Sequence, residues 1–495
     1  LFHLHQSQAV KRITIHILSF VLFAAALLRA DEHYRVEPVD VPGGIVMEVS
    51  GMDYADDGVL YLATRRGDVW TQKDGQWRRF AQGLHEPMGL VIGNKGEVFV
   101  SQRPEITQLI DEDEDGVADL YQTITDGFSM IASFHQYTYG LVQDAKGNLW
   151  GTLSGTGKTG PDGRPASAKA FALEPYRMWS FKVSPEGEFV PWSSGLRSAN
   201  GIGMNLEGDL FAADNQGEWV GTSMLHHLEQ GDFHGHPEAL RWDERFKDKG
   251  DPAKLPIEQL EKTRKMPAVF LPHGELSNSP GAPICDTTAG KFGPFEGQFF
   301  IGDVVHANLM RVALEKVNGQ YQGACFPFIK GGSKGAGEGL KAGICRLVFA
   351  PDNSLLIGRV GEGNWNRGLP GTGLQRVVYS GEVPFEIHHI ELQKNGFKLH
   401  FTKALDADQM LSSDQVALSS YHYAYHAAYG SPKMELKTIA VSGVERSADG
   451  KSVTLDVAEL VAGKIYQFSL KSITDSSGKA LRNASAYYTL NELKE

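Results

Sequence analysis

Short runs of alternating apolar and polar residues fill this chain, separated by tight turns that carry glycine. Around Gly201 one apolar run is followed by a polar turn at 205–207, then Gly208 and a second apolar run, LFAAD. Such a pattern predicts two antiparallel strands of a hairpin. The same phrase occurs upstream with the same spacing: Gly51 and Gly58 bracket MDYADD, Gly89 and Gly96 bracket LVIGNK, and Gly140 and Gly147 bracket LVQDAK. Two looser copies follow, from Gly281 to Gly297 and from Arg346 to Asn353. Each copy continues into further short strands, as ITQLI at 106–110 and LYQTIT at 120–125 do in the second. Six strand-rich repeats predict an all-β fold, a six-bladed β-propeller over residues 34–383. Past Val383 and Pro384 the alternation changes register. Segments such as FEIHHIEL, GFKLHFTKAL and KIYQFSLKSI predict an immunoglobulin-like β-sandwich over 384–495.

Two stretches interrupt the pattern. Residues 238–266 are dense in charge and predict an insertion with a short helix over one face, a lid or rim. SSYHYAYHAAYGSP, in the C-terminal part, holds four tyrosines and two histidines within residues 421–430. It would pack on the propeller rim or receive a sugar ring. At the other end, Lys11 and Arg12 precede the apolar run ITIHILSFVLFAAALL, and Ala30 is followed by acidic residues. Residues 1–30 therefore read as a secretory signal peptide, which implies a periplasmic or secreted protein with no stable membrane span after cleavage. The chain opens on Leu1 rather than Met, so its true start is left open.

Composition narrows the partners. The 495 residues include 60 acidic and 48 basic side chains, a formal charge of −12, which argues against nucleic acid. The three cysteines, Cys285, Cys325 and Cys345, have neither metal-finger nor haem-attachment spacing. Cys325 and Cys345 could pair; three buried thiols are the alternative.

Propeller geometry sorts the loops by face. Those entering each innermost strand and those following each second strand share one end of the channel. That mouth collects His85, Glu86, His135, Arg197, Ser198, Asn200, Ser277, Asn278 and Lys341 with Arg65, Arg66, Arg103, Asp214, Asp303, His306 and Arg359. In an acidic protein this favours a small anionic ligand held by arginine forks. The alternative is that acidic neighbours pair with these arginines and merely tie blades together. His135, beside cationic neighbours, would remain neutral and could act as a base. At the opposite end, Asp111, Asp113, Asp115, the Val117 carbonyl and Asp119 form a loop suited to Ca²⁺, with Gly116 at the sharp turn. Gln122 stands where a helix-flanked calcium loop would carry its bidentate Glu, so a structural hairpin-type site is expected.

FHQYTYGLVQD, GLRSANGIGMN and the segment from DNQGEWVGTS to DFHGHP resemble the soluble glucose/sorbosone dehydrogenases, six-bladed quinoproteins that bind pyrroloquinoline quinone (PQQ) with Ca²⁺. The resemblance implies His135 as catalytic base and Arg197 as both a catalytic and a quinone-contacting residue. It implies Asn200, Lys341 and Arg359 as further cofactor contacts. Ser198 stands where the family has Asn, and the proline expected after Gly217 is Glu218. Over nearly the whole length, GPFEGQFFIGDVVHANLMRV and YHYAYHAAYGSP are similar to exported planctomycete-type proteins labelled membrane-bound or PQQ-type dehydrogenases, many of which carry a cytochrome c module. No C-x-x-C-H occurs here, so a separate electron acceptor is implied. The implied activity is oxidation of a small-molecule sugar or alcohol. A non-catalytic glycan- or protein-binding propeller and a calcium-dependent lactonase-type hydrolase are the alternatives.

Overall fold

The computed structural model describes residues 32–130, 136–155, 174–331, 339–361 and 371–494. The predicted signal peptide and His135 lie outside them. The described chain is all-β, with six four-stranded blades set around an axis.

Blade 1 holds Val49–Tyr54, Leu60–Thr64, Val69–Lys73 and Gln76–Ala81. Blade 2 runs from Gly89–Ile92 through Val98–Ser101 and Ile106–Ile110 to Leu120–Thr125, and blade 3 from Thr138–Gln143 through Leu149–Leu153 and Trp179–Val183 to Phe189–Ser194. Blade 4 comprises Ile202–Met204, Leu210–Asp214, Ser223–His227 and Val269–Leu271. Blade 5 comprises Pro280–Cys285, Phe299–Asp303, Leu309–Val317 and Gln320–Ile329. Blade 6 takes Ile344–Phe349, Leu355–Arg359 and Gly373–Tyr379 from late in the chain, and its outermost strand is Tyr34–Val39 from the beginning. This pairing of the first strand with the last closes the ring.

The two glycines of each repeat serve different needs. Gly58, Gly96, Gly147 and Gly208 have φ between 81° and 85°, the left-handed conformation of the turn between the first two strands. Asn353, in the same place in blade 6, adopts φ 65°, which asparagine tolerates better than most residues. The first glycine lets neighbouring innermost strands approach. A Cβ on Gly51 would fall 2.4 Å from the Leu90 nitrogen, and one on Gly281 2.6 Å from the Cys345 carbonyl oxygen. Where the glycine pattern breaks, at Arg346, a long side chain enters the axis.

The C-terminal segment forms two packed sheets. One holds Ile387–Gln393, Gly396–Phe401, Ser452–Val457 and Val441–Arg446; the other holds Ser485–Leu490, Lys464–Leu470, Val416–Tyr423 and Lys433–Thr438. Phe397, Leu399 and Leu455 from the first meet Leu418, Phe468 and Tyr488 from the second in one buried cluster. The second sheet also continues blade 5. Gly323, Ala324 and Cys325 pair with Thr489, Tyr488 and Tyr487, so eight strands form a single sheet across the junction. Arg311, fully buried, lies between the Phe295 and Phe326 rings and donates to the carbonyls of Ile387 and His388.

The 238–266 insertion consists of short 3₁₀ turns and one helix, Ile257–Thr263. Its Leu240, Phe246 and Leu260 pack with Phe233 and with Tyr425 of the tyrosine-rich segment. All three cysteines are free and buried, which corrects the possible Cys325–Cys345 pair: Cys325 packs between blade 5 and the sandwich, whereas Cys345 faces the axis.

Several histidines are buried as neutral bases. Desolvation holds His226 and His236 down at about 3. Burial, then neighbouring cations or histidines, brings His388 to about 4 and His389 to about 3 at the sandwich junction. In the unfolded chain these groups titrate near 6.5, so between there and 3–4 the unfolded state binds more protons. Stability is therefore fully present above pH 6.5 and lost as pH falls through that window, by up to ~1.4 kcal/mol per pH unit for each fully buried histidine. Asp53, raised to about 6 mainly by desolvation, acts in the opposite sense between 6 and 3.8. Urea midpoints measured from pH 7.5 to 4 should fall steeply below 6.5; a flat profile would mean that these imidazoles are solvated.

Candidate functional site

Arg346 divides the channel. Its Nε donates to the Ser50 carbonyl at 2.8 Å, and its terminal nitrogens donate to Asn200 (2.8 Å), Cys345 (2.9 Å) and Met88 (2.6 Å) carbonyls. These oxygens belong to blades 1, 2, 4 and 6 or to the loops entering them. A single guanidinium therefore spans the ring. Met88, Tyr137, Tyr139, Val304, Cys345 and Val360 form an apolar cluster at the same level. Towards the hairpin turns lies an axial cavity of about 520 Å³, lined by the innermost strands with Asp53, Asn94, Gln143 and Asn205 at its polar positions. On the other side of this septum is the mouth.

At blades 1 and 2 the mouth's Arg65, Arg66 and Arg103 are paired with carboxylates. Fully buried Glu48 accepts from Arg65 at 2.8 and 3.0 Å and from Arg66 at 2.7 Å. Glu86 accepts from Arg65 (3.1 Å), Arg103 (2.5 Å) and the Tyr137 hydroxyl (3.2 Å). Arg103 also lies 4.1 Å over the Tyr137 ring. Glu48 carries no signal in the sequence, because it precedes the first repeat.

Among the described residues, Asp214 and Asp303 make no side-chain bond to an arginine guanidinium. Each ends a second strand and receives backbone N–H groups from the loop entering its own blade and from the residues that follow it. Asp214 accepts from Arg197, Ser198 and Asn215 at 2.7–2.8 Å. Asp303 accepts from Asn278, Ser279 (2.8 Å), Val305 (2.9 Å) and His306 (2.5 Å). The loops that carry the candidate binding groups are thus held by their own blades.

The residues implied as cofactor contacts fall into two groups. Arg197, buried, donates through Nε and Nη2 to Glu218 at 3.2 and 3.1 Å and lies 5.2 Å from the centroid of the Tyr429 ring. Its guanidinium rests on Gly217, where a Cβ would fall 1.7 Å from Nε. The Gly217 carbonyl accepts from Val220 (3.1 Å) and Gly430 (2.9 Å). Asn200 turns to Cys345 and Arg346 beneath the mouth. At blade 6 the situation differs. Arg359 is buried, donates to the Thr372 carbonyl and leaves Nε without a partner among the described residues. Desolvation brings it down to about 10. Lys341, on the loop entering the same blade, is exposed. Gln136, next to His135 in sequence, is fully buried with neither amide atom partnered among the described residues.

On the far side, Asp111, Asp113 and Asp115 bring carboxylate oxygens within 4.8 Å of one another in the loop between the third and fourth strands of blade 2. Gly116 has φ 83° there, and its N–H and that of Asp115 donate to Asp111. Asp119 accepts from the Glu112 N–H at 2.9 Å.

The profile of a family described as a domain of unknown function, DUF7133, matches residues 55–324, more than half of the chain. The chain belongs to the DUF7133 family. That match extends from the first hairpin of blade 1 into the last strand of blade 5. No curated protein matches this DUF7133 sequence. Among solved structures, an oxidoreductase of Thermus thermophilus described as a glucose dehydrogenase is 17% identical, with a TM-score of 0.50 over 70% of this chain and 100% of its own. The PQQ-bound aldose sugar dehydrogenase of Streptomyces coelicolor is 14% identical, with a TM-score of 0.46 over 70% and 99% of the two chains. The PQQ domain of a pyranose dehydrogenase of Coprinopsis cinerea is 11% identical, with a TM-score of 0.48 over 70% and 95%. The first of these likenesses establishes that this DUF7133 chain shares the propeller fold. Among the described residues no helix is long and apolar enough to cross a membrane.

Proposed function

We propose that this protein is an exported quinoprotein-type oxidoreductase that oxidises a sugar or related alcohol at the propeller mouth. Arg359 carries the reading: among the described residues its buried guanidinium has an unpartnered Nε and no carboxylate partner, which supports the binding of an anion there. Lys341 on the neighbouring loop adds an exposed positive charge. These two side chains suit a carboxylate-bearing cofactor such as PQQ, which when bound supplies a two-electron acceptor. Arg197 and Asn200 would line its other edge, Arg197 by sharing its guanidinium between Glu218 and the ligand. His135 would receive the proton of the substrate hydroxyl, and the rigid loops clamped by Asp214 and Asp303 would keep the donors aligned. Electrons would leave to a separate acceptor.

Reconstitution of the purified protein with PQQ and Ca²⁺ tests this directly. Binding at micromolar concentration, a quinone absorbance change and dye reduction with aldoses are expected. Absence of PQQ binding would end the proposal. A second reading, a non-catalytic sugar-binding propeller, draws on the engagement of Arg197 by Glu218 and of the Gly217 carbonyl by Gly430.

For the aspartate loop we propose a structural Ca²⁺ held by Asp111, Asp113, Asp115 and the Val117 carbonyl, with Asp119 closing the loop. Chelation should then lower the thermal midpoint by a few degrees, restored by Ca²⁺ but not by Mg²⁺. An Asp113→Asn variant should show no such response.

A further inference from the structure

Tyr429 is set apart from the other tyrosines of its segment. Tyr421 and Tyr425 are buried, and Tyr425 donates its hydroxyl to the Gly235 carbonyl at 2.5 Å with its ring against Arg264 and Trp219. Tyr429 keeps 53% of its surface exposed and places its ring over the Arg197 guanidinium. The arm bearing it, residues 426–431, is not a loose loop. Trp219 N–H donates to the His426 carbonyl (3.2 Å), Gly430 N–H to Gly217 (2.9 Å) and Ser431 N–H to Gly221 (2.8 Å). Gly430, at φ 64°, passes so near Gln216 that a Cβ there would lie 2.8 Å from its amide carbon. Three backbone bonds thus fasten an aromatic ring to the blade 4 loop that carries Glu218, Arg197's ion-pair partner.

We infer that Tyr429, supplied by the C-terminal sandwich, is the stacking platform for the sugar ring at the mouth. The apolar face of a pyranose matches a flat aromatic ring, and tyrosine offers that area with little side-chain entropy to lose. Its backbone anchors make the platform pre-organised, so binding needs no ordering of the arm. Arg197 beneath the ring holds it at a set height, and more than half of the Tyr429 surface stays exposed. The inference rests on the sugar-oxidising reading only for the class of ligand; it does not require the quinone.

The test uses the full chain without cofactor, titrated calorimetrically with D-glucose and cellobiose, and separately with PQQ. Tyr429→Ala and Tyr429→Leu should each weaken sugar binding about tenfold. Tyr429→Trp should stay within about twofold of the parent. PQQ binding and the thermal midpoint should be unchanged in all three. Unchanged sugar affinity in the Ala and Leu variants would overturn the inference. So would an equal loss of PQQ and sugar binding, which would make the arm a support for the blade 4 loop, or a parent protein that binds neither sugar. Sugar binding lost on removing the ring, in a parent that takes up no PQQ, upholds the platform while the dehydrogenase reading falls.

Discussion

Gly89→Ala is expected to leave the protein insoluble or to cost more than ~4 kcal/mol, the range reached only by severe core lesions. The backbone of Gly89 is not itself in the left-handed region, so conformational strain is not the cause. Its Cβ would stand 1.5 Å from the Gly140 carbonyl oxygen and 2.4 Å from that carbonyl carbon. These atoms are backbone of the next innermost strand, and Ser101 Oγ holds that carbonyl in place at 3.0 Å. Relief would require blades 2 and 3 to part, and in a closed ring such a displacement is passed to every other blade. Gly96→Ala supplies the control. It has φ 84° and open space around the missing Cβ, so only the left-handed penalty of ~1–2 kcal/mol applies. Soluble yield and denaturant midpoints of the two variants compare a packing cost with a conformational one. Equal midpoints would show that the innermost strands do not touch at this level.

Arg346→Met should be nearly as damaging, by a different route. Methionine fills much of the volume but abandons the carbonyls of Ser50, Met88, Asn200 and Cys345, each bonded at 2.6–2.9 Å by the arginine. A buried acceptor left unpaired costs ~1–3 kcal/mol, so a total near 4 kcal/mol is expected even if water entering from the axial cavity replaces part of the set. Arg346→Lys should recover only a fraction, because one ammonium cannot reach four oxygens spread across the ring. Amide exchange in the innermost strands of blades 1, 2 and 4 is the informative measurement, since it should accelerate in all three together. Acceleration confined to blade 6 would mean that the guanidinium does not join the blades.

How much of this was legible beforehand differs between fold and site. The glycine spacing points to six repeats because each glycine answers a need felt within a hairpin or between adjacent strands. Asn353 and Arg346 even show where blade 6 departs from the pattern. The aspartate loop is equally local, and Asp111, Asp113 and Asp115 do come together. The mouth was legible only as a gathering of cations. Glu48, which pairs with Arg65 and Arg66, sits before the first repeat. Glu218 occupies a position that the family resemblance marked only as a missing proline. Tyr429 reaches Arg197 from the far end of the chain.

Periodicity along the chain reports which side of a strand is buried, and that is settled over a few residues by contact with water or with the neighbouring strand. From it the strand content, the repeat number and the left-handed turns of this protein follow. Which charge meets which, whether a thiol faces the axis or the sandwich, and which end of the channel a guanidinium closes are settled between residues far apart in sequence. Those outcomes depend on the ring having closed and the sandwich having joined blade 5, so only the tertiary structure could decide them.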